Sequence, residues 1–232
     1  MRLGGGEYME IEAFCSWSGG KECTMALYEA RKAGFNITHL LNMASEDGVH
    51  SRTHGIDSSW LALQAKTIGL PIIQRTTSWE GYEQAYKGAL NHLEQEGITT
   101  GIFGDIDLMQ HREWVERVCS ACGITPVLPL WQKEREELLK AFIDKGFRAI
   151  IIATDARYLG GEWLGKEINN NFIKEAKSLG TIDLCGERGE YHTFVYDGPI
   201  FKKPLKFKTS QKTLREGNWL LELDYPTSQE DR

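Results

Sequence analysis

The sequence predicts an α/β fold, an open parallel sheet covered by helices and followed by a smaller α+β unit. Short apolar runs alternate with amphipathic segments from the start to about residue 153, as strands and helices do in a parallel sheet. Several of those amphipathic segments stop at Gly34, Gly69, Gly97 and Gly146, the usual end of a last helical turn. After Ile152 the texture changes to a Gly-rich loop (ATDARYLGGEWLGK), one helical segment and short β-like runs.

In order, the first unit (residues 1–153) has strands expected at 11–16, 38–43, 71–76, 100–103, 126–129 and 149–153, with helices at 21–33, 57–68, 80–95, 108–121 and 133–145. The second unit (154–232) has a helix near 167–179 and strands at 193–196, 205–208 and 219–223. Its last residues, TSQEDR, are polar and read as a frayed tail.

The chain has 232 residues, 41% of them apolar and 26% charged, which is the composition of a globular protein with enough interior to fold without staples. A net charge of −6 argues against broad nucleic-acid binding, which draws on a surplus of Lys and Arg. No apolar stretch approaches the roughly 20 residues of a membrane span, and the start MRLGGGEYME has no signal-like core. The expectation is a cytoplasmic protein without a membrane partner, and a homodimer is compatible with the sequence. Five cysteines, an odd number spread thinly, suit reduced thiols. Cys119 and Cys122 have the C-x-x-C spacing of a redox pair or half a metal site. They lie in REWVERVCSACGI, where apolar residues recur at helical spacing, so core packing is the preferred reading.

Chemistry concentrates first at Ser16-Trp17-Ser18-Gly19-Gly20-Lys21, where an apolar strand runs straight into an amphipathic helix. Two glycines let the backbone approach a ligand closely, so amides and the positive helix end can face one phosphate. Ser16 and Ser18 add hydroxyls and Lys21 a mobile cation. The first strand of an open sheet, followed at once by the first helix, is where nucleotide phosphates usually sit. The loop is neither a Walker A loop nor a G-x-G-x-x-G turn.

Ser-Gly-Gly-Lys-Glu-Cys (18–23) resembles the Ser-Gly-Gly-Lys-Asp-Ser signature of the ATP pyrophosphatases. Glu22 and Cys23 depart from it, the first lengthening a carboxylate arm and the second exchanging a hydroxyl for a weaker thiol donor. A helix N-terminus can also activate a thiol, which gives Cys23 a second, reactive reading. Further along, Gly104-Asp105-Ile106, the run Glu162-Trp163-Leu164-Gly165-Lys166 and the run from Cys185 to Phe194 (CGERGEYHTF) together resemble the diphthine-ammonia ligase family. That resemblance implies a sheet of the adenine-nucleotide alpha hydrolase, Rossmann-like type. It also implies an ATP-dependent amidation in which the carboxylate of diphthine, on translation elongation factor two, is adenylated and then attacked by ammonia, releasing AMP and pyrophosphate.

Under that resemblance, Ser16, Ser18, Gly19, Gly20, Lys21, Glu22, Cys23, Met43, His54 and Gly104 are expected to hold ATP. Glu22 and Asp105 are expected to hold Mg²⁺. Asp105 follows an apolar strand at its C-terminal end, where ligands gather, although a cap or turn residue is the alternative there. Lys21, Asp105, Glu187, Glu190 and His192 are the expected catalytic residues, with His192 accepting a proton from the attacking amine. Glu187 and Glu190 in their Gly-punctuated loop, with Gly189, would hold the trimethylammonium of diphthine or steer ammonium; a solvated hairpin is the alternative. Trp163 beside Gly165 would form an aromatic wall for that cation, or else belong to the core. For His54 a structural role is the alternative. Two other functions stay open: a ligase or tRNA-modifying enzyme with a different acceptor, and a sensor that binds ATP without turning it over.

Overall fold

The first strand, β1 (Ile11–Ser16), has Ala13, Phe14 and Cys15 fully buried. A strand that is apolar on both faces belongs in the middle of a sheet covered on both sides, and β1 takes that place. The computed structural model describes residues 11–51 and 55–226. In it β2 (Phe35–Ala44), β3 (Ile72–Thr76), β4 (Thr100–Ile102) and β5 (Thr125–Val127) join β1 in one parallel sheet of order β3-β2-β1-β4-β5.

Alternate residues of β1 enter different cores. Ala13 and Cys15 pack on the face covered by α1 (Lys21–Lys32), α2 (Ser58–Ile68) and α5 (Arg135–Asp144), through Leu27, Trp60 and Phe142 among others. Phe14 packs on the opposite face against α3 (Tyr82–Gln95) and α4 (Met109–Ser120), where Leu90, Leu93, Val118 and Cys119 are buried. The four expected glycine stops all sit at φ between +82° and +91°, the left-handed region in which a side chain would be strained.

The strand expected at 149–153 is real but was assigned to the wrong sheet. β6 (Arg148–Asp155) pairs antiparallel with β7 (Tyr191–Asp197) and β9 (Asn218–Asp224), and β8 (Lys208–Arg215) completes a second sheet of order β7-β6-β9-β8. An apolar run such as Ala149–Ala153 suits a buried strand of either kind, so periodicity could not choose the partner. The expected strand at 205–208 is also corrected, because pairing begins only at Lys208. β8 is a polar, mostly exposed edge strand without apolar alternation, which is how edges are protected from unwanted pairing.

The second sheet does not stand apart. Ile150, Ile151, Phe194 and Val195, with Phe172 of α6 (Asn170–Leu179), enter the same buried cluster as α1 and α2. β7 is thereby packed beside the loop that follows β1. Asn169 caps α6 by accepting from the amides of Asn171 and Phe172, which moves that helix start three residues past its expected position. Among the described residues no helix is long and apolar enough to cross a membrane.

Candidate active site

The order of the parallel sheet reverses between β1 and β4, and the chain leaves the C-terminal ends of these neighbours in opposite directions. Such a switch point opens a crevice. Here it widens into a cavity of about 630 Å³ whose walls come from the loop after β1, the end of β2, the loop after β4 and the segment leading into β7.

The first wall is the start of α1. Gly19 lies at φ +79°, and a methyl group there would meet Leu61 and Gln64 at 2.5 and 2.7 Å. Gly20 is the N-cap residue in an extended conformation, and its carbonyl accepts from Thr24 Oγ1 at 2.8 Å. Ser16, Ser18, Lys21, Glu22 and Cys23 all line the cavity. Lys21 is only 4% exposed; its Nζ donates to the Cys185 carbonyl at 2.5 Å and pairs with Glu22 Oε1 at 2.7 Å. Burial works against this charge, but Glu22, with Tyr191 and Cys185, outweighs it and raises the lysine pKa. Lys21 is therefore a fixed cation at a helix start. Cys23 donates to the Gly20 carbonyl at 3.2 Å and accepts from Ser18 Oγ; burial pushes its thiol pKa up, against the activated-thiol reading.

The second wall follows β4. Gly104 packs so closely on α1 that a Cβ would lie 2.8 Å from the Glu22 backbone. Asp105 faces the cavity and lies 3.3 Å from Nδ1 of His111. The hydrogen bond to Asp105 raises the His111 pKa, against the effect of burial. Tyr82, at the start of α3, lines the same side.

The third wall carries Glu187, Arg188, Gly189, Tyr191, His192 and Thr193. Burial, then the charges of Glu22 and Asp105, push the Glu187 carboxyl up to about 7. Burial and then Lys21 lower His192 to about 4, so its imidazole is neutral at pH 7. Thr193 Oγ1 accepts from the Lys21 amide at 3.1 Å, a direct tie between β7 and the start of α1. On the remaining side, Leu41, Asn42 and Met43 close the cavity at the end of β2.

Lys21, Glu22, Asp105, Glu187 and His192 thus meet in one cavity, as do Ser16, Ser18, Cys23, Met43, Gly104 and Gly189, while Gly19 and Gly20 shape the loop beneath. Besides those two glycines, three expected residues that the structure describes do not line this cavity. Glu190 is 2% exposed and its carboxylate accepts from the amides of Asp183 and Arg188 at 2.9 and 3.1 Å, so it folds its own loop instead of facing a ligand. Trp163 is packed edge-on against Phe172 with centroids 6.0 Å apart and Lys166 over its face, which makes it a core residue. Gly165 serves the same turn at φ +85°. His54 lies outside the described residues. Cys119 and Cys122 are both buried in the core beneath α3 and α4.

His111, Tyr82, Asn42 and Thr193 were not read as site residues. Two of them carried a local signal: His111 stands six positions after Asp105 at the start of a predicted helix, and Thr193 lies within the run from Cys185 to Phe194. Arg135 was missed too: it holds Asp107 at 2.6 and 2.9 Å and also Asp183, tying the second wall to the third.

Comparison with known proteins agrees with this layout. Residues 11–126 match the diphthamide synthase N-terminal domain and residues 134–225 the diphthamide synthase C-terminal domain. A human protein named diphthine-ammonia ligase is 30% identical over 235 residues, covering 87% of this chain and 84% of its own. A zebrafish (Danio rerio) protein of the same name is 29% identical over 217 residues, covering 81% and 83%. A solved chain described as a predicted subunit of tRNA methyltransferase from Methanocaldococcus jannaschii aligns over 84% of this chain and 100% of its own, with 19% identity and a TM-score of 0.42, too distant to bear on the assignment. On the two domain matches, and on its identity to relatives that are ligases, the chain belongs to the diphthamide synthase family.

Proposed function

We propose that the protein is an ATP-dependent amide ligase that adenylates the carboxylate of diphthine on elongation factor two and transfers ammonia to it, releasing AMP and pyrophosphate. The observation that carries this reading is Lys21, a buried cation at the start of α1, facing a cavity that Glu187 and His192 also line.

A carboxylate is a poor electrophile until one oxygen becomes part of a leaving group, and AMP is such a group. In the first step a carboxylate oxygen bonds to the α-phosphorus of ATP while the bond to the bridging oxygen breaks, and negative charge gathers on the departing pyrophosphate. Lys21 and the positive end of α1 would stabilise that charge, and such a preorganised donor is commonly worth about 3 kcal/mol. In the second step the ammonia nitrogen bonds to the acyl carbon, the bond to AMP breaks, and the nitrogen loses a proton. Glu187, poised near pH 7, is the stronger acceptor for it, whereas the burial and Lys21 charge that keep His192 neutral also make that imidazole a weak base.

Glu22 and Asp105 offer two carboxylates to one cavity. Among the described residues no group of three His, Cys, Asp or Glu side chains could hold a metal ion. Two carboxylates still fit Mg²⁺, which typically takes one or two of them together with phosphate oxygens and water. When bound there, the ion would neutralise charge on the phosphates.

The test is incubation with ATP, Mg²⁺, ammonium and elongation factor two bearing diphthine. AMP and pyrophosphate formed only when the acceptor is present support the ligase. ATP that binds and stays intact under all these conditions would make the protein a sensor, and turnover with a different carboxylate or with tRNA would move the acceptor.

A further inference from the structure

Gln64 of α2 is fully buried and makes three hydrogen bonds, none of them within its own helix. Its Oε1 accepts from Trp17 Nε1 at 2.9 Å. Its Nε2 donates to the Gly19 carbonyl at 3.0 Å and to the Val195 carbonyl at 2.6 Å. The Val195 amide also donates to the Gly19 carbonyl, at 3.0 Å. One amide side chain therefore joins the loop after β1 to β7, the strand that brings Tyr191, His192 and Thr193 to the cavity.

The Gly19 carbonyl belongs to the same peptide unit as the Gly20 amide. In a trans peptide these two groups point in opposite directions. With the carbonyl held from one side by Gln64 and Val195, the Gly20 N–H is turned the other way, toward Ser18 Oγ at 3.4 Å, and Ser18 lines the cavity. Were this peptide to rotate, a carbonyl oxygen would replace an N–H at the loop and would repel a phosphate. Gly19, at φ +79° and without a Cβ, is the residue at which such a rotation meets least resistance.

We infer that Gln64 is a positioning residue that holds the Gly19–Gly20 peptide in its anion-binding orientation and fixes the loop against β7. It touches neither substrate nor reacting atoms and acts through that peptide. The inference rests on the reading of the loop as the ATP site.

The test is the affinity of the full chain for ATP, measured calorimetrically without acceptor, together with the KM for ammonium in the complete reaction. Gln64→Leu removes all three bonds at similar volume. ATP affinity should fall on the order of tenfold or more, since small displacements of positioned groups are costly, while the KM for ammonium stays as in the wild type. Gln64→Glu keeps the shape and the acceptor for Trp17 and replaces the two donations to Gly19 and Val195 by at most one O–H, since burial between two carbonyls favours the protonated acid; a weakening in the same direction is expected. Unchanged ATP affinity in either folded variant overturns the assignment. So does failure of both variants to fold, which would make Gln64 purely structural. A wild-type protein that binds no ATP defeats the functional reading itself, whereas equal binding by wild type and variants defeats only the role of Gln64.

Discussion

The ammonium of Lys21 lies 2.7 Å from the carboxylate of Glu22, the next residue in the chain, and both face the cavity. Adjacent helical residues do not ordinarily meet. They do so here because burial leaves the lysine few other partners beyond the Cys185 carbonyl and the ring of Tyr191. Lys21→Ala should reduce AMP formation by about 100-fold or more, the scale of losing one preorganised donor, with an unchanged circular dichroism spectrum. Activity near the wild-type level would remove Lys21 from the mechanism.

Glu187 should separate nucleotide from acceptor. Glu187→Gln is expected to leave ATP binding intact and to raise the KM for the acceptor, read by titrating each in turn. Weaker ATP binding would mean that the cavity is not divided in this way.

The same substitution has a signature in stability. A carboxyl raised to about 7 from its ordinary value binds more protons when folded than unfolded, so its contribution is present at low pH and is lost as pH rises through about 7. Glu187→Gln should therefore raise Tm relative to wild type at pH 8, with the gap closing toward pH 4.5. A constant gap across that range would count against a perturbed Glu187.

His192 works in the opposite sense. Its pKa, lowered to about 4 by burial and Lys21, means that the folded state binds fewer protons than the unfolded one between about 4 and 6.5. Stability from this group is present above 6.5 and lost as pH falls toward 4. Thermal melts of His192→Gln should show less acid sensitivity in that window, and a slope equal to the wild type would argue that the imidazole is not held neutral.

Cys119→Ser should leave turnover nearly unchanged and lower stability by about 1–3 kcal/mol, the cost of an unpaired hydroxyl in an apolar site, since Cys119 is fully buried on the inner side of α4. A well-folded but inactive variant would restore a redox role for the pair.

Gly104→Ala tests how closely the second wall approaches the first. The added methyl would stand 2.8 Å from backbone atoms of Glu22, which cannot give way as a side chain would. A loss of about 1–3 kcal/mol is expected from overpacking, together with weaker ATP binding as the start of α1 shifts; denaturant melts and calorimetry measure the two effects.

The sequence by itself determined the features governed by neighbouring residues. Alternating apolar runs and amphipathic segments specify strands and helices through local periodicity, so the parallel sheet and its covering helices were legible. The Ser16–Lys21 loop was legible as a strand-to-helix turn because strand, glycines and helix are contiguous. Tertiary structure decided everything that depends on which way a distant side chain turns. Glu187 and Glu190 stand three residues apart in one loop, yet the first faces the cavity and the second binds the amides of Asp183 and Arg188. Trp163 sat among glycines suited to a ligand wall and went instead to the core against Phe172. β6 had the apolar run of a parallel strand and paired antiparallel with β7 and β9. Gln64, one polar residue inside an amphipathic helix, gave no sign of its bonds to Gly19 and Val195, 45 and 131 positions away. The physical reason is common to all four: strand and helix patterning is written in short-range spacing, whereas the burial, pairing and orientation of a polar or aromatic group are fixed by partners that only the closed chain brings near.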